Sequence, residues 1–206
     1  MINIAAGIDY FRTTDTTMYQ LVTATRTAAN PLLIPSEKPP DAYFSTLVKS
    51  IVSQQISTRA AATIYQRLQS LSPITPAAML ACPVEQLREC GISQAKVSYI
   101  VSLAEMWPDL SPQTFSLLSD QQLIDRLVTC RGVGVWTAEM FLLFAMGRAD
   151  IFALNDLGLR QGVAKLYTVD QSDREQIRII SERWSPHRSL ASLAVWHQLD
   201  NGPVPL

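Results

Sequence analysis

Apolar residues recur at three- and four-residue intervals through most of this chain, which is the spacing of helices with one buried face. The clearest case is a helix whose inward face carries Phe44, Leu47, Val48, Ile51, Val52 and Gln55. Sustained two-residue alternation, the pattern of a half-buried strand, is missing apart from the brief piece Ile151–Leu154. The pattern therefore predicts an all-α fold of about ten helices.

Capping residues and prolines mark where the predicted helices begin and end. Caps are expected at Asp15, Ser57, Ser93 and Ser119, the last forming a capping box with Gln122. The proline-rich segment 31–40 predicts a linker, and Pro108 is expected to end the helix that begins after Ser93. Later helices are predicted at 135–146, 157–167, 174–184 and 188–200.

A glycine-rich turn separates two predicted helices in the stretch Leu127–Ala138. The first helix is expected to end near Cys130, and the next begins directly after Gly134. Gly132 and Gly134 let the backbone take left-handed angles and approach a partner closely, although a simple helix C-cap and turn would look similar. Unpaired N–H groups at the second helix start suit a nucleic-acid phosphate. The stretch thus predicts a helix-hairpin-helix.

The residues around this hairpin make it specific. The chain reads Gly-Val-Gly-Val-Trp-Thr-Ala over 132–138, followed by Asp-Ile-Phe from Asp150 and by an acidic residue at Asp156. This pattern strongly resembles the helix-hairpin-helix DNA glycosylases, and within them the 3-methyladenine DNA glycosylase II branch. The resemblance extends from about Phe44 to Trp196, which is most of the chain.

The resemblance implies an architecture and an activity. Two helical lobes are expected, one at about 41–154 and one formed by about 1–40 plus 155–206, with the active site in the cleft between them. The family flips a damaged nucleotide out of the duplex and hydrolyses the N-glycosidic bond of bases of the 3-methyladenine and 7-methylguanine type. The expected partner is double-stranded DNA containing damaged bases, and the protein is expected to be a monomer.

Asp156 matches the catalytic aspartate of the family. Breaking an N-glycosidic bond builds positive charge on the deoxyribose, and a nearby carboxylate stabilises that charge and orients or deprotonates the attacking water. A helix start favours the ionised carboxylate. Taken alone, Asn155 or Asp156 is better explained as a simple helix cap, and the hairpin upstream at the family spacing is what favours catalysis. Relatives often carry two aspartates here, whereas this chain has Asn155 before the retained Asp156.

Four residues match the base pocket of the family: Trp136, Met140, Trp196 and Gln54. A large aromatic surface suits an electron-poor, positively charged alkylated base. Members that also nick the strand have lysine at the position of Trp136, so the resemblance implies a monofunctional enzyme that leaves an abasic site. Trp136 and Met140 are also explained as ordinary core residues. His197 stands where some relatives have tyrosine, so the resemblance does not define the far wall of the pocket.

A second group of residues matches the DNA contacts of the family: Gln55, Arg131, Gly132, Val133 and Gly134. Gln55 matches the wedge that fills the gap left by the extruded base, although an exposed helix end explains it too. A net charge of −1 and a pI near 6.1 do not mark a nucleic-acid binder, so a local basic rim is needed. Lys49, Arg59, Lys96, Arg131 and Arg148 supply that rim or are ordinary solvated charges.

The cysteines and histidines argue against a cluster or a catalytic metal. Relatives with an iron–sulfur cluster hold it with four closely spaced cysteines near the C-terminus, whereas none lies beyond Cys130 here. The scattered cysteines Cys82, Cys90 and Cys130 form no disulfide framework, which indicates a reducing compartment. His187 and His197 are too few and too separated for metal ligation.

The resemblance implies one structural ion. In relatives the hairpin carbonyls hold a monovalent cation that also touches a DNA phosphate. The matching carbonyls in this chain are those of Val128, Cys130 and Val133. The expected occupant is Na⁺ or K⁺, and no other cofactor is required.

Size and composition limit the remaining alternatives. A chain of 206 residues with 48% hydrophobic residues can bury a good core. No apolar run approaches the ~20 residues of a membrane span, and no signal pattern opens the chain. A cytoplasmic, nucleoid-associated protein is expected in a bacterium and a nuclear one in a eukaryote. Two rival functions stay open: a glycosylase of the same fold for a mismatched or oxidised base, and a non-catalytic helix-hairpin-helix module that binds only DNA backbone.

Overall fold

The computed structural model describes residues 1–27 and 31–199, and the regular structure within these ranges is helical with no β-strand. The α-helices are α1 (Ile4–Thr14), α2 (Thr16–Thr27), α3 (Tyr43–Ser53), α4 (Thr58–Leu71), α5 (Pro76–Ala81), α6 (Val84–Glu89), α7 (Gln94–Leu110), α8 (Asp120–Leu127), α9 (Val135–Phe144), α10 (Leu157–Tyr167), α11 (Arg174–Glu182) and α12 (Arg188–Leu199). Short 3-10 helices lie at Pro40–Ala42 and Pro112–Leu117. The predicted all-α fold is confirmed, and Ile151–Leu154 is irregular chain. Asp200, the predicted end of the last helix, lies outside the described residues.

The helix starts expected from the sequence are confirmed by their hydrogen bonds. Asp15 caps α2, because its Oδ1 accepts the backbone N–H three residues further on at 3.0 Å. Ser57 and Ser93 cap α4 and α7 in the same way. Ser119 and Gln122 form both bonds of the capping box that opens α8. Each bond satisfies an N–H group that the helix itself leaves without a partner.

Several helices differ from the prediction, and α8, α9 and α11 end two or three residues early, at Leu127, Phe144 and Glu182. The pattern does not predict α1, although Asn3 caps it by accepting the Ala6 N–H at 3.0 Å. The prediction that Pro108 ends its helix is wrong, because α7 continues through that residue. A proline removes one backbone donor and crowds the carbonyl four residues earlier, and only two further residues of α7 follow it. The helix ends instead where Ser111 adopts a left-handed φ of 50°.

The chain packs as two compact units, and each is described by itself. The first unit comprises Met1–Glu37 and Leu142–Pro205, and the second unit comprises Lys38–Phe141. The second unit has an aromatic core in which four ring pairs meet edge to face and one pair, Tyr43 with Phe115, is stacked. Its members are Tyr43, Phe44, Trp107, Phe115 and Phe141.

The second boundary between the units falls at 141/142, whereas the sequence placed it near 154/155. The difference arises because the chain that follows α9 is bonded to α12. The Ile151 N–H donates to Ser189 Oγ at 2.9 Å, and that hydroxyl donates to the Arg148 carbonyl at 2.6 Å. The segment before α10 therefore belongs with the last helix of the first unit.

A buried polar cluster ties α2 to later parts of the first unit. Asp15 Oδ2 accepts the Tyr167 hydroxyl at 2.8 Å and the Trp184 indole N–H at 3.0 Å. Burial and the adjacent carboxylate both raise the pKa of Tyr167. The cluster satisfies a buried carboxylate with neutral donors and orients α2 within this unit.

Candidate active site and nucleic-acid interface

Asp156 stands at the N-cap of α10 and bonds the helix start with its own side chain. Its Oδ1 accepts the Leu159 N–H at 2.8 Å, and the residue itself is half-buried. The same oxygen accepts the indole N–H of Trp196 at 3.1 Å. Capping and chemistry are therefore not alternatives at this residue. A carboxylate has two oxygens, so accepting the capping bond with one of them does not exclude a contact with a developing sugar cation.

Trp196 is the second component of this arrangement. It is 3% exposed, and its ring lies 6.2 Å from that of Phe144 at an interplanar angle of 26°. The packing fixes the indole so that its N–H meets Asp156. Gly158 leaves the room for this contact, since a Cβ there would lie 3.2 Å from Asp156 Oδ1 and 3.6 Å from Trp196 Cδ1. The bond joins residues 40 positions apart, so no local pattern could indicate it.

Two arginines that the sequence did not single out hold the loop before Asp156. Arg174 Nη1 donates to Asn155 Oδ1 at 3.2 Å, and Arg160 Nη1 donates to the Leu154 carbonyl at 3.1 Å. The guanidinium groups fix this loop and bring positive charge to the same end of α10. Their approach to the loop depends on the fold of the first unit, which explains why motif reasoning missed them.

The hairpin turn requires glycine at Gly132 for two separate reasons. Its φ is 84°, in the left-handed region that favours glycine. A Cβ there would lie 2.4 Å from Tyr99 Cδ2, a distance that no packing tolerates. The turn is closed by the Val133 N–H, which donates to the Cys130 carbonyl at 3.0 Å.

Gly134 has a different role from Gly132. Its φ is not positive, so the prediction of left-handed angles is right for Gly132 and wrong for Gly134. Its carbonyl accepts the Ala138 N–H at 3.0 Å, which makes it the N-cap residue of α9. A Cβ built there would meet nothing within 4 Å, and the first residues of α9, Val135 and Trp136, are exposed. The structure therefore gives no internal reason for glycine here.

The loop after α3 is bonded to the hairpin through Gln54. The side-chain Nε2 of Gln54 donates to the Gly132 carbonyl at 2.8 Å. Gln55 follows it, exposed and with a left-handed φ of 58° that is unusual for a residue with a side chain. The resemblance placed Gln54 in the base pocket and Gln55 at the wedge position, and it implied no contact between Gln54 and the hairpin. Their roles in the pocket and as a wedge stay predictions.

The two predicted pocket residues on α9 differ in exposure. Trp136 is 37% exposed, whereas Met140, one turn further along the helix, is 1% exposed. Trp136 is thus partly accessible at the surface, and Met140 is packed in the interior. The five residues of the predicted basic rim differ as well. Arg59 and Arg131 are exposed, Lys49 and Arg148 are half-buried, and the Lys96 ammonium donates to two backbone carbonyls.

The predicted cation site fits the hairpin on chemical grounds. A carbonyl oxygen has two lone pairs, so the bond from Val133 leaves the Cys130 oxygen able to accept a cation. Burial raises the pKa of the Cys130 thiol, so the carbonyl of this residue, not its sulfur, is the group that suits a hard monovalent cation. Over residues 1–27 and 31–199, no three His, Cys, Asp or Glu side chains form a metal-binding group. None of the helices in those ranges is long and apolar enough to span a membrane.

Known proteins resemble the chain in sequence and in structure. Residues 48–187 match the family described as HhH-GPD superfamily base excision DNA repair protein. DNA-3-methyladenine glycosylase 1 of Schizosaccharomyces pombe is 31% identical over 161 residues, covering 74% of this chain and 71% of that protein. A DNA-3-methyladenine glycosidase from Bacillus halodurans matches with TM-score 0.81 and 29% identity, covering 93% of this chain and 88% of that one. A Schizosaccharomyces pombe 3-methyladenine DNA glycosylase in complex with abasic DNA matches with TM-score 0.76 and 26% identity, covering 97% and 100%.

Proposed function

This chain belongs to the HhH-GPD superfamily of base excision DNA repair proteins, in its 3-methyladenine DNA glycosylase branch, and on that premise we propose how it acts. As a member of this branch it is a DNA N-glycosylase, a hydrolase. We propose that it flips an alkylated base of the 3-methyladenine or 7-methylguanine type out of the duplex and hydrolyses its N-glycosidic bond. The observation that carries the proposal is the carboxylate of Asp156, held by two donors at a helix start.

Asp156 supplies the chemistry in this proposal. An alkylated purine carries positive charge and leaves as a neutral molecule, while positive charge builds on the deoxyribose. A carboxylate held by fixed donors stabilises that charge without reorganising as the charge develops. The Leu159 N–H and the Trp196 indole orient Asp156 for this role. The carboxylate also positions or deprotonates the water that attacks the sugar carbon, and an abasic site remains.

Trp136 is the residue we propose for recognition of the base. Its exposed indole offers a π face, and a positively charged alkylated base is attracted to such a face more strongly than a neutral base. Met140, Trp196 and Gln54 are the other proposed pocket residues. The buried position of Met140 makes it a supporting residue behind the pocket surface.

The hairpin and the loop after α3 are proposed to hold the DNA. Exposed N–H groups at the start of α9, behind Gly134, would bind a backbone phosphate, with Arg131, Gly132 and Val133 alongside. Gln55 would enter the duplex where the damaged nucleotide has left it. Carbonyls of the hairpin would hold Na⁺ or K⁺, which adds positive charge near the same phosphate.

Release of free bases from methylated duplex DNA tests the proposed function. Wild-type protein is expected to release 3-methyladenine and 7-methylguanine, identified by mass spectrometry, and Asp156→Asn to release neither at a comparable rate. Release of only a mismatched or oxidised base would show that the protein is a glycosylase for a different lesion. DNA binding without release of any base would favour a non-catalytic module.

The fate of the strand tests the role of Trp136. Because a lysine is replaced by Trp136 at the position where strand-nicking relatives form a Schiff base, the product is expected to be an intact abasic strand. Borohydride trapping is expected to give no covalent adduct, with a strand-nicking relative as the positive control. A stable adduct would show that another amine attacks the sugar and that the enzyme is bifunctional.

A further inference from the structure

One face of α7 carries two residues that reach two different loops of the second unit. Lys96 and Tyr99 lie three positions apart, so they share a helix face. The Lys96 ammonium donates to the Val52 carbonyl at 2.8 Å and to the Gln54 carbonyl at 2.6 Å. The contact of Lys96 is therefore with the end of α3 and the loop that presents Gln55.

The end of α3 needs such a donor. The last carbonyls of a helix have no partner within the helix, and a cation at this end also favours the helix dipole. After Ser53 the chain turns abruptly, since Gln54 has a ψ of 132° and Gln55 a left-handed φ of 58°. A side chain in the left-handed region is held there only when the surroundings fix it. The short carbonyl contacts of Lys96 fix the residue immediately before Gln55.

Tyr99 reaches the hairpin from the same helix face. Its ring fills the space beside Gly132, where a Cβ would lie 2.4 Å from Cδ2 and 2.8 Å from Cβ of Tyr99. The two loops also meet each other, because Gln54 Nε2 donates to the Gly132 carbonyl at 2.8 Å. Lys96, Gln54, Gly132 and Tyr99 thus form a closed set of contacts among α7, the loop after α3 and the hairpin.

We propose that Lys96 and Tyr99, together called the α7 brace, are positioning residues that fix the Gln55 loop and the hairpin relative to each other. The inference rests on the proposed function, in which Gln55 enters the duplex and the hairpin binds phosphate. With the brace in place, a phosphate held at the hairpin sets where Gln55 meets the base stack. Phosphate binding and insertion at the damaged nucleotide then occur as one event.

The brace assigns Lys96 a different role from a basic-rim residue that binds phosphate. An ammonium group has three N–H donors, and two of those of Lys96 go to carbonyls. Burial lowers the pKa of Lys96, as expected for an ammonium drawn away from water. The two roles differ in salt dependence. Loss of one phosphate contact reduces the slope of log affinity against log salt by about 0.9, whereas loss of a brace leaves that slope unchanged.

Lys96→Met is the variant that separates the roles. The control is Lys165→Met, which removes the same charge at an exposed position of α10. Affinities for intact duplex and for duplex with an abasic analogue are measured over a range of salt. Lys96→Met is expected to reduce the preference for the abasic analogue by about tenfold, the effect of losing charge-assisted hydrogen bonds. The salt slope on intact duplex should stay at its wild-type value, and Lys165→Met should change neither quantity.

A spectroscopic signal reports the insertion itself. 2-Aminopurine beside the abasic analogue changes fluorescence when its stacking is disturbed. At saturating protein, wild type and Lys165→Met are expected to give the full change and Lys96→Met less than half of it. Lys96→Arg can donate to both carbonyls and should restore most of the signal. Thermal unfolding of each variant identifies any that fails to fold, and Lys96→Gln then replaces Lys96→Met.

Combination with Tyr99→Ala tests whether the two residues act as one unit. The effects of Lys96→Met and Tyr99→Ala on the abasic preference should be less than additive in free energy, as expected for members of one network. If Lys96→Met weakened binding to both duplexes equally and reduced the magnitude of the salt slope by about 0.9, Lys96 would be a phosphate contact and the brace would be overturned. A full 2-aminopurine change in Lys96→Met would overturn it as well. These measurements need no base release, so a wild-type protein that released no base would defeat the proposed function alone.

Discussion

The two helices that carry the candidate site begin in opposite ways. α9 begins behind Gly134, where a side chain is lacking and a Cβ would meet nothing within 4 Å. α10 begins behind Asp156, whose carboxylate accepts the Leu159 N–H at 2.8 Å. One helix start offers its positive end to an anion from outside, and the other already holds an anion of its own.

The comparison teaches that the cap residue decides what a helix start can do. Both starts have a first turn whose N–H groups lack partners within the helix, and both have the positive end of the helix dipole. With glycine as the cap the helix start is open to the phosphate that we propose it binds, and with aspartate it fixes the carboxylate that we propose acts on the sugar. A change of cap at one helix should therefore remove one function and leave the other intact.

Asp156→Asn is expected to have the largest effect. Base excision should fall by about 100-fold or more, the usual loss when one preorganised electrostatic group is removed. Folding and affinity for abasic DNA should change little, because asparagine also caps helices well. Single-turnover base release and DNA binding measure the two properties separately.

Asp173→Asn is the matched control for this variant. Asp173 caps α11 in the same unit, with its Oδ1 accepting the Gln176 N–H at 2.9 Å. It undergoes the same change of cap chemistry at a helix that carries no proposed catalytic group. Base release by Asp173→Asn should match wild type. A rate for Asp156→Asn close to wild type would contradict the assignment of Asp156.

Gly134→Asp is expected to have the next largest effect, on DNA binding. It places a negative charge where the phosphate is proposed to sit, and affinity should fall by at least about tenfold because like charges in contact repel. Damaged and undamaged duplex should lose affinity by similar factors, since phosphate contacts carry no lesion information. Loss of affinity for damaged duplex alone would instead place Gly134 at the base pocket.

Trp196→Phe tests how much the orientation of the Asp156 carboxylate contributes. The variant keeps an aromatic ring and loses the indole N–H, so excision per bound complex should fall by about five- to tenfold. Trp184→Phe is the control, because it loses an indole N–H bonded to Asp15 in the buried cluster of the same unit. It should lower the thermal unfolding temperature without changing excision by the folded protein. If the variant lost more affinity for the lesion than excision rate, Trp196 would instead act by contacting the base in the pocket.

Alanine at the two hairpin glycines should give the smallest and most discriminating effects. Gly132→Ala should destabilise the protein by about 2–4 kcal/mol, from left-handed strain and from overlap with Tyr99. Gly134→Ala should cost less than about 1 kcal/mol, because its backbone angles are ordinary and the space is open. Chemical unfolding measures both free energies. Similar destabilisation by the two variants would contradict the distinction between the glycines.

The parts of the fold that the sequence predicted depend on neighbours along the chain. The cap at Ser57, the capping box of Ser119 with Gln122 and the hairpin turn all arise within a few residues. Such contacts depend on residue types at fixed short spacings, which can be recognised in the sequence. The prediction for Pro108 is wrong by only a few residues, because α7 continues for two residues beyond the proline and then ends.

The parts of the site that the sequence did not predict depend on distant residues. The bond from Trp196 to Asp156 spans 40 positions, and the bond from Lys96 to the Gln54 carbonyl spans 42. Lys96 was predicted as part of a basic rim because its charge is visible in the sequence. The carbonyls that it contacts become visible only once α3 and α7 have packed.

The open space at Gly134 has a consequence for stability design. Serine and aspartate are better helix caps than glycine and threonine is about equal to it, so any of them at this position should leave the free protein as stable or make it more stable. A screen for heat resistance would therefore accept these substitutions while each obstructs the proposed phosphate site. Selection on the isolated protein and selection on the repair of DNA would drive this one position in opposite directions.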